Sequence, residues 1–359
     1  MLVRIGLVGR SLISKLRLLA LCTAAAAVLA SCATTTTTTV PASAPLPDER
    51  KGADGADYAI GFEMRLPKNW NGRFYYQGNG GLDGVVQPAL GALGGGPLTG
   101  ALAQGFAVIS SDAGHTGAQT TVFGAEPQSR LDYGYQAVGK LTPMAKALIA
   151  QAYGKAPDRS YIGGCSNGGR HAMVAMSRYG EQYDGYLAGA PGYRLPNAAV
   201  AQLWIAQQLT PLATAGATAP HPLSPQAPRI ADLGTAFTAQ ERQTVASAIL
   251  AKCDALDGAK DGMVMATQAC QAAFSLQRDV PTCALDKRDA AGQCLSSAQK
   301  LVIGNLFEGG RVNDKPIYSP FPHDIGIAGN DWARWKFANS LALDPLSVGT
   351  VFSAKPGPL

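Results

Sequence analysis

Charged residues and histidines are scarce in this sequence of 359 residues. Lys, Arg, Asp and Glu make up 15% and hydrophobic residues 47%, so the chain can bury a sizeable core and overall disorder is not expected. No basic stripe with interleaved aromatic residues occurs, so nucleic-acid binding is not indicated. Much of the net charge of +5 comes from the N-terminus, where no acid precedes Asp48. No internal repeat is evident.

The N-terminal segment is typical of a bacterial export signal. A basic region reaches Arg17, and the short alanine-rich run LLALCTAAAAVLA follows it. The run ends in Leu29-Ala30-Ser31-Cys32, which resembles a lipobox, in which the cysteine is lipidated and becomes the mature N-terminus. We therefore expect a signal peptide over 1–31, a flexible tether over 32–48, and a periplasmic or outer-membrane lipoprotein. The alternative is a plain secretory signal with an incidental cysteine.

Export changes the interpretation of the cysteines, because the periplasm permits disulfides. Five cysteines remain once Cys22 and Cys32 are assigned to the signal and the lipid: Cys165, Cys253, Cys270, Cys283 and Cys294. The last four are closely spaced and could pair locally as Cys253–Cys270 and Cys283–Cys294, although four cysteines allow three connectivities. Cys165 is then left without a partner.

Short apolar strands alternate with helical patterns up to about residue 194. The strands are predicted at 73–78, 106–110, 161–163 and 186–190, and the helices at 132–153 and 169–179. This alternation predicts an α/β fold with a mainly parallel sheet over 49–194. After about Leu195 alanine, proline and glutamine dominate, and we interpret 195–359 as a separate inserted domain.

One motif between a strand and a helix carries the predicted chemistry. Gly164-Cys165-Ser166-Asn167-Gly168 matches Gly-x-Ser-x-Gly, in which a sharp turn presents a serine nucleophile. The backbone N–H of Asn167 would face a developing oxyanion near the positive end of the next helix. The glycine loop Gly78–Gly81 follows a strand, and Gly81 is predicted to supply the second N–H.

A second constellation lies between Cys253 and Met263. Its three carboxylates, with backbone carbonyls, are the oxygen ligands that calcium prefers. The predicted ligands are Asp254, Asp257, Ala259, Asp261 and Met263. The spacing is not that of an EF-hand, and two Asp-Gly turns on a solvated loop explain the residues equally well.

A base for Ser166 is hard to find among the four histidines. His171 lies on the helix beyond the serine and should point away, and His221 lies between prolines and should be exposed. His115 and His323 are weak candidates for the base, and His115 is otherwise a residue that fixes its loop.

Together these motifs resemble the tannase and feruloyl esterase family from about Trp70 to the end of the sequence. The motifs are Trp70-Asn71-Gly72-Arg73-Phe74, Gly78-Asn79-Gly80-Gly81, Ser111-Asp112-Ala113-Gly114-His115, Gly164 to Arg170, Asp184-Gly185, Ala188-Gly189-Ala190-Pro191, and Cys253 to Met263. Asn167 stands where threonine is frequent in the family.

The resemblance implies an α/β-hydrolase core with an inserted lid domain that carries a structural calcium on the loop from Asp254 to Met263. In the family, the cysteine before the nucleophile is joined by a disulfide to a cysteine beside the catalytic histidine. No His-Cys pair follows Ser166, and the strand that should carry the acid is also missing. We therefore expect an incomplete lid over 195–359, with the catalytic His and Asp beyond this chain.

The resulting functional hypothesis is a serine carboxylesterase that acts on esters of aromatic acids, such as feruloyl or galloyl esters. The chain alone should have weak or no activity. Trp332 and Trp335 could grip the aromatic acid, but packing explains them equally well. One alternative is a non-catalytic surface lipoprotein that binds a ligand, and another is an inactive fragment that does not fold stably.

Overall fold

A computed structural model describes residues 3–6, 46–92, 99–120, 122–222 and 226–357. Contacts divide the chain into two units, Met1–Gly192 and Tyr193–Leu359. Of the predicted signal and tether, only residues 3–6 and 46–48 fall within the described ranges, and Cys32 lies outside them.

The first unit is built on a six-stranded mixed sheet in the order β1-β4-β6-β5-β7-β8. The strands of this unit are β1 (Val3–Gly6), β2 (Arg50–Lys51), β3 (Asp57–Tyr58), β4 (Phe62–Leu66), β5 (Arg73–Gly78), β6 (Ala107–Ser111), β7 (Arg159–Cys165) and β8 (Gly185–Gly189). β1 and β6 both pair antiparallel with β4, and β2 and β3 form a separate small hairpin. From β6 to β8 the neighbouring strands are parallel.

The two inner strands β5 and β6 are buried and largely apolar, as is usual for strands that are covered on both faces. All five residues of β6 are buried, as are the five residues of β5 after Arg73. The helices of this unit are α1 (Pro127–Leu131), α2 (Ala137–Tyr153) and α3 (Asn167–Arg178). The α/β architecture predicted from the sequence is confirmed. Because β5 and β7 are adjacent and parallel, the loops that follow them lie at the same edge of the sheet.

The second unit is mainly helical. Its helices are α4 (Leu195–Leu209), α5 (Ala239–Cys253), α6 (Thr267–Ala273), α7 (Leu276–Asp279), α8 (Ser297–Glu308), α9 (Asn330–Ala333) and α10 (Asn339–Ala342). Two short antiparallel strand pairs join β9 (Thr218–Ala219) to β10 (Ile230–Ala231) and β11 (Arg311–Val312) to β12 (Lys315–Pro316). Leu209, Val245, Ile249 and Leu295 lie in its core without exposed surface. The structure contains both local disulfides, Cys253–Cys270 and Cys283–Cys294.

Candidate active site

Ser166 occupies a strained turn between β7 and α3. Its φ of 58° and ψ of −121° lie outside the regions that a serine normally adopts, and such backbone strain is concentrated at functional residues. Neighbouring backbone holds the turn in place: the Ser166 amide donates to the carbonyl of Gly189 at 3.0 Å, and the Ser166 carbonyl accepts from the amides of Arg170 at 3.1 Å and Gly192 at 2.9 Å. The turn therefore has the geometry of a nucleophile elbow.

Three glycines allow the backbone to pack closely around this elbow. A Cβ added to Gly78 would lie 2.8 Å from the carbonyl oxygen of Gly168, and one added to Gly168 would lie 2.3 Å from that of Gly78. A Cβ on Gly164 would lie 2.4 Å from the same Gly78 oxygen. These distances are too short for any other residue, so the end of β5 packs directly on the first turn of α3.

This packing brings together the loops that carry the predicted oxyanion donors. Gly81 has a φ of 66° in the loop that follows β5, and Asn167 is the first residue of α3, where the helix end is partly positive. The carbonyl of Asn79, two residues before Gly81, accepts from Asn167 Nδ2 at 3.4 Å. The predicted donors therefore belong to two segments that are in contact.

A buried polar network lies beside the two loops. Tyr133 Oη donates to Asn167 Oδ1 at 3.0 Å, and Arg170 Nε donates to the same oxygen at 2.6 Å. Asn167 Nδ2 contacts Asp83 Oδ1, and both Asp83 oxygens lie 3.1 Å from His171 Nε2. This network could not be predicted from the sequence, because no local pattern links Asp83 in a glycine loop to His171 on a helix.

The two histidines of the first unit are engaged elsewhere than at Ser166. His171 faces Asp83, and His115 is stacked on Phe123 with 3.7 Å between the ring centroids. Burial lowers the pKa of His115 to about 4, and the negative charge of Asp83 only partly offsets this shift. His115 is therefore neutral near pH 7. Within the described part of this unit, neither histidine is hydrogen-bonded to the Ser166 hydroxyl. That His115 fixes its loop stays a prediction.

Asp112 is a second buried acid beside the site. Its Oδ1 accepts from the amides of Gly61 at 3.0 Å and Gly114 at 2.9 Å. Burial raises the pKa of Asp112 to about 7, the two amide hydrogen bonds oppose this shift, and the charge of Asp83 adds to it. Asp112 thus ties the loop after β6 to the start of β4.

Comparison with known proteins identifies the family. A family model described as tannase and feruloyl esterase matches residues 48–340. The chain belongs to the tannase and feruloyl esterase family. The mono(2-hydroxyethyl) terephthalate hydrolase of Piscinibacter sakaiensis is 38% identical over 312 residues, which cover 80% of this chain and 49% of that protein. A probable feruloyl esterase B-1 of Aspergillus fumigatus is 32% identical over 245 residues, which cover 68% of this chain and 40% of the relative.

Solved structures of esterases share the fold. The crystal structure of feruloyl esterase B from Aspergillus oryzae superposes with a TM-score of 0.61 at 24% identity, and the match covers 84% of this chain and 59% of that one. The tannin acyl hydrolase of Aspergillus niger gives a TM-score of 0.59 at 20% identity, covering 86% of this chain and 54% of that chain. The predicted α/β-hydrolase architecture is thereby confirmed. The chain spans about half the length of the curated relatives it matches.

Cys165 immediately precedes the elbow serine. Among the described cysteines it alone has no disulfide partner, and its side chain is half-buried. The family resemblance explains this cysteine by a partner beside a histidine, and that pairing stays a prediction.

The aspartate loop of the second unit is held by hydrogen bonds to its own backbone. Asp254 Oδ1 accepts from the amides of Asp261 and Gly262, each at 3.1 Å. Asp257 Oδ1 accepts from Ala259 at 3.0 Å, and Asp261 Oδ1 accepts from Met263 at 3.1 Å. Across the described ranges, no three His, Cys, Asp or Glu side chains are gathered in a cluster that could hold a metal ion. In this arrangement the carboxylates cap turns and do not converge.

A cavity of about 370 Å³ opens within the second unit. Its lining includes Phe307, Tyr318, Phe321, Trp332, Trp335 and Lys336. The Lys336 ammonium lies 3.8 Å from the centroid of the Phe321 ring, and burial lowers the pKa of this lysine to about 8. Trp332 and Trp335, the two candidates for gripping an aromatic acid, therefore line one aromatic cavity.

In the part of the chain that the structure describes, no helix combines the length and apolar character needed to cross a membrane.

Proposed function

We propose that this chain supplies the nucleophile of a serine carboxylesterase that acts on esters of aromatic acids. The observation that carries the proposal is the strained Ser166 at the β7–α3 turn, in contact with the glycine loop that follows β5. Family membership supports it, since the relatives are named as hydrolases and esterases that cleave such bonds.

In the proposed reaction, Ser166 Oγ attacks the ester carbonyl carbon while a histidine takes its proton. The amides of Gly81 and Asn167 bind the negative oxygen of the tetrahedral intermediate. Collapse breaks the ester C–O bond, and the histidine returns the proton to the departing alcohol. Water then hydrolyses the acyl-enzyme by the same route. We assign the histidine and its aspartate to residues outside this sequence, because the family's His-Cys pair does not follow Ser166 here. In addition, His115 and His171 are engaged with other partners, and His323 packs against Phe274 and Phe307.

The substrate class is supported by the aromatic cavity of the second unit. Its rings offer flat apolar surfaces to a feruloyl or galloyl group, with which aromatic side chains stack favourably. Lys336 adds a cation to the same lining, and such a charge suits the phenolic oxygens of these acids.

We also propose a structural calcium on the loop of Asp254, Asp257, Ala259, Asp261 and Met263. The donor set fits calcium chemically, because three carboxylates and two backbone carbonyls lie in one short segment. Binding would require the carboxylates to turn from the backbone amides towards a shared centre. Calcium would supply no reacting group and would only fix this loop.

Export as a lipoprotein anchored at Cys32 completes the proposal. It rests on the basic and apolar segments before Cys32. Cleavage there would remove β1 from the edge of the sheet. Incorporation of labelled palmitate that is lost in Cys32→Ser would support the anchor, and unchanged incorporation in that variant would contradict it.

Sequencing beyond the codon for Leu359 and expressing the complete reading frame tests the esterase. We expect its product to hydrolyse methyl ferulate and Ser166→Ala to lower kcat/KM by about 10³-fold or more. Ser177→Ala is the matched control, because Ser177 lies on the same helix, is exposed and bonds only its own helix backbone among the described contacts.

Each other outcome changes a specific part of the proposal. Rapid hydrolysis by the 359-residue chain, abolished in Ser166→Ala, would place the base within this sequence. Binding of ferulate without hydrolysis by the complete product would favour a ligand-binding lipoprotein instead.

A further inference from the structure

We propose that Asp83 and His171 are positioning residues for the oxyanion hole. Their buried pair joins the loop after β5, which carries Gly81, to α3, which begins with Asn167. The inference rests on the proposed function, in which those two residues supply the amides that bind the negative oxygen.

The Asp83–His171 pair is isolated from solvent. The side chains are 2% and 3% exposed, respectively, and the residues lie 88 positions apart in the sequence. His171 Nε2 lies 3.1 Å from both Asp83 oxygens, closer than it lies to Asn167 Nδ2 at 3.3 Å and Arg170 Nη2 at 3.4 Å. A carboxylate only accepts hydrogen bonds, so in the contact with Asp83 this nitrogen carries the proton. The pair therefore forms a directed link between loop and helix that water does not screen.

Asp83 also holds a backbone conformation that favours glycine. Its φ is 53°, and its amide donates to the Gly80 carbonyl at 3.2 Å, which closes a tight turn around Gly81. The next residue, Gly84, donates its amide to the carbonyl of Asp112 at 2.9 Å. The Asp83 side chain is thus attached to the turn that sets the direction of the Gly81 amide.

Asn167 connects the pair to the other donor. Its side chain, in a residue only 2% exposed, reaches Asp83 and the Asn79 carbonyl with the nitrogen, and Tyr133 and Arg170 with the oxygen. Arg170 in turn donates to the Tyr133 carbonyl at 3.0 Å. The side chain of the residue whose amide faces the oxyanion is therefore fixed on both sides, and one of its anchors is Asp83.

The Asp83–His171 pair positions the two oxyanion donors and does not itself bind the substrate. Neither Asp83 nor His171 is assigned contact with substrate, and each acts through the backbone of a neighbouring donor. Displacement of an oxyanion donor by about 1 Å can cost about 10²-fold in rate. Loss of the pair should therefore lower kcat and leave KM nearly unchanged.

The first experiment measures hydrogen–deuterium exchange in the 359-residue chain. We expect His171→Leu and Asp83→Ala to speed exchange in peptides that cover 79–85 and 166–172. His171→Gln, which keeps a donor for Asp83, should stay close to the wild type. Asp184→Asn is the control: its carboxylate accepts from the Ser160 amide at 2.8 Å in the same unit, outside this network.

The second experiment measures methyl ferulate hydrolysis by the product of the complete reading frame. We expect His171→Leu and Asp83→Ala to lower kcat by at least 10-fold, with KM within about twofold, and His171→Gln to restore most of the rate. If the Leu or Ala variants do not fold, Asp83→Asn and His171→Gln replace them, and Asp83→Asn should give the slower enzyme.

The two experiments separate this inference from the proposed function. A wild-type product without esterase activity counts against the function, and exchange then decides whether the pair joins loop and helix. Unchanged exchange at 79–85 in folded Asp83 and His171 variants, or a change in KM alone, would overturn the positioning role.

Discussion

The turn that holds Ser166 depends on three glycines packed against one another's backbone. Gly78, Gly164 and Gly168 leave no room for a Cβ, because the atoms that it would meet belong to backbone that cannot rotate away. The spacing of Ser166 from its neighbours is therefore set by backbone contacts, which are more rigid than contacts between side chains.

Gly168→Ala should destabilise the first unit by about 1–3 kcal/mol, the usual cost of overpacking. Its new Cβ would lie 2.3 Å from the Gly78 carbonyl oxygen, so the glycine loop must move away from α3. Urea unfolding measures the change. Gly180→Ala is the matched control, because no atom lies within 4 Å of its added Cβ, and it should shift the free energy of unfolding by less than about 1 kcal/mol. Equal effects of the two substitutions would contradict this steric account.

Sequence reasoning found the serine and the glycines of the site because they form a local motif. It could not find Asp83 or Tyr133 as partners of Asn167, since these contacts depend on how the loop after β5, α3 and the segment before α2 pack together. His171 was predicted to point away from the serine, and the structure adds that it faces Asp83.

At the scale of elements, β8 differs from the other parallel strands. It is the last strand of the described sheet, only one of its sides is paired, and Leu187 is 47% exposed. An apolar edge strand with free backbone groups is a template for pairing with another chain. The chain should therefore self-associate through this edge.

Leu187→Lys should reduce that self-association, because a charge on an edge strand opposes pairing with a second copy. Light scattering over a concentration series measures the effect, and the variant should remain monomeric at several-fold higher concentration. Met176→Lys provides the control: Met176 is 55% exposed but lies on the helix α3 and not on a strand. If both lysines act equally, added charge rather than the edge is responsible.

Whether a segment forms a strand or a helix was predictable where its apolar pattern was strong, but the residues at which it begins and ends were not. The strand predicted at 73–78 is β5 as observed, while the helix predicted at 132–153 contains a π-helical turn over Asp132–Gln136 before α2. In this turn the buried Asp132 contacts Arg50 at 3.3 Å and Lys140 at 3.1 Å. A partner as distant in sequence as Arg50 leaves no periodic signal.

At the scale of the whole molecule, the two units rely on different means of stabilisation. The first unit is built on a mixed sheet, whereas the second unit is mainly helical and contains two disulfides. The sequence indicated this change of character near residue 194 through composition and cysteine spacing. It could not show that the carboxylates of the aspartate loop accept from backbone amides, because side-chain direction in a loop is not periodic.

Calcium should stabilise the second unit through the loop between Cys253 and Cys270. The disulfide joins two cysteines 17 positions apart, and all five predicted ligands lie between them. Because this loop is already closed, it loses less conformational entropy when the carboxylates converge than an open loop would. At a calcium concentration 100 times the Kd, the gain should be about 2.7 kcal/mol. Thermal unfolding in calcium and in excess chelator, with exchange measured in a peptide over 254–265, tests this.

The variant Asp261→Asn should lose most of the calcium response, because it removes one of three carboxylate charges. Asp314→Asn is the matched control, since Asp314 lies in the turn between β11 and β12 at a φ of 60° that asparagine tolerates. A calcium response that survives in Asp261→Asn would place the ion elsewhere. No response in the wild type would leave the carboxylates as the turn caps that the structure shows, with Asp254 holding the Asp261 and Gly262 amides.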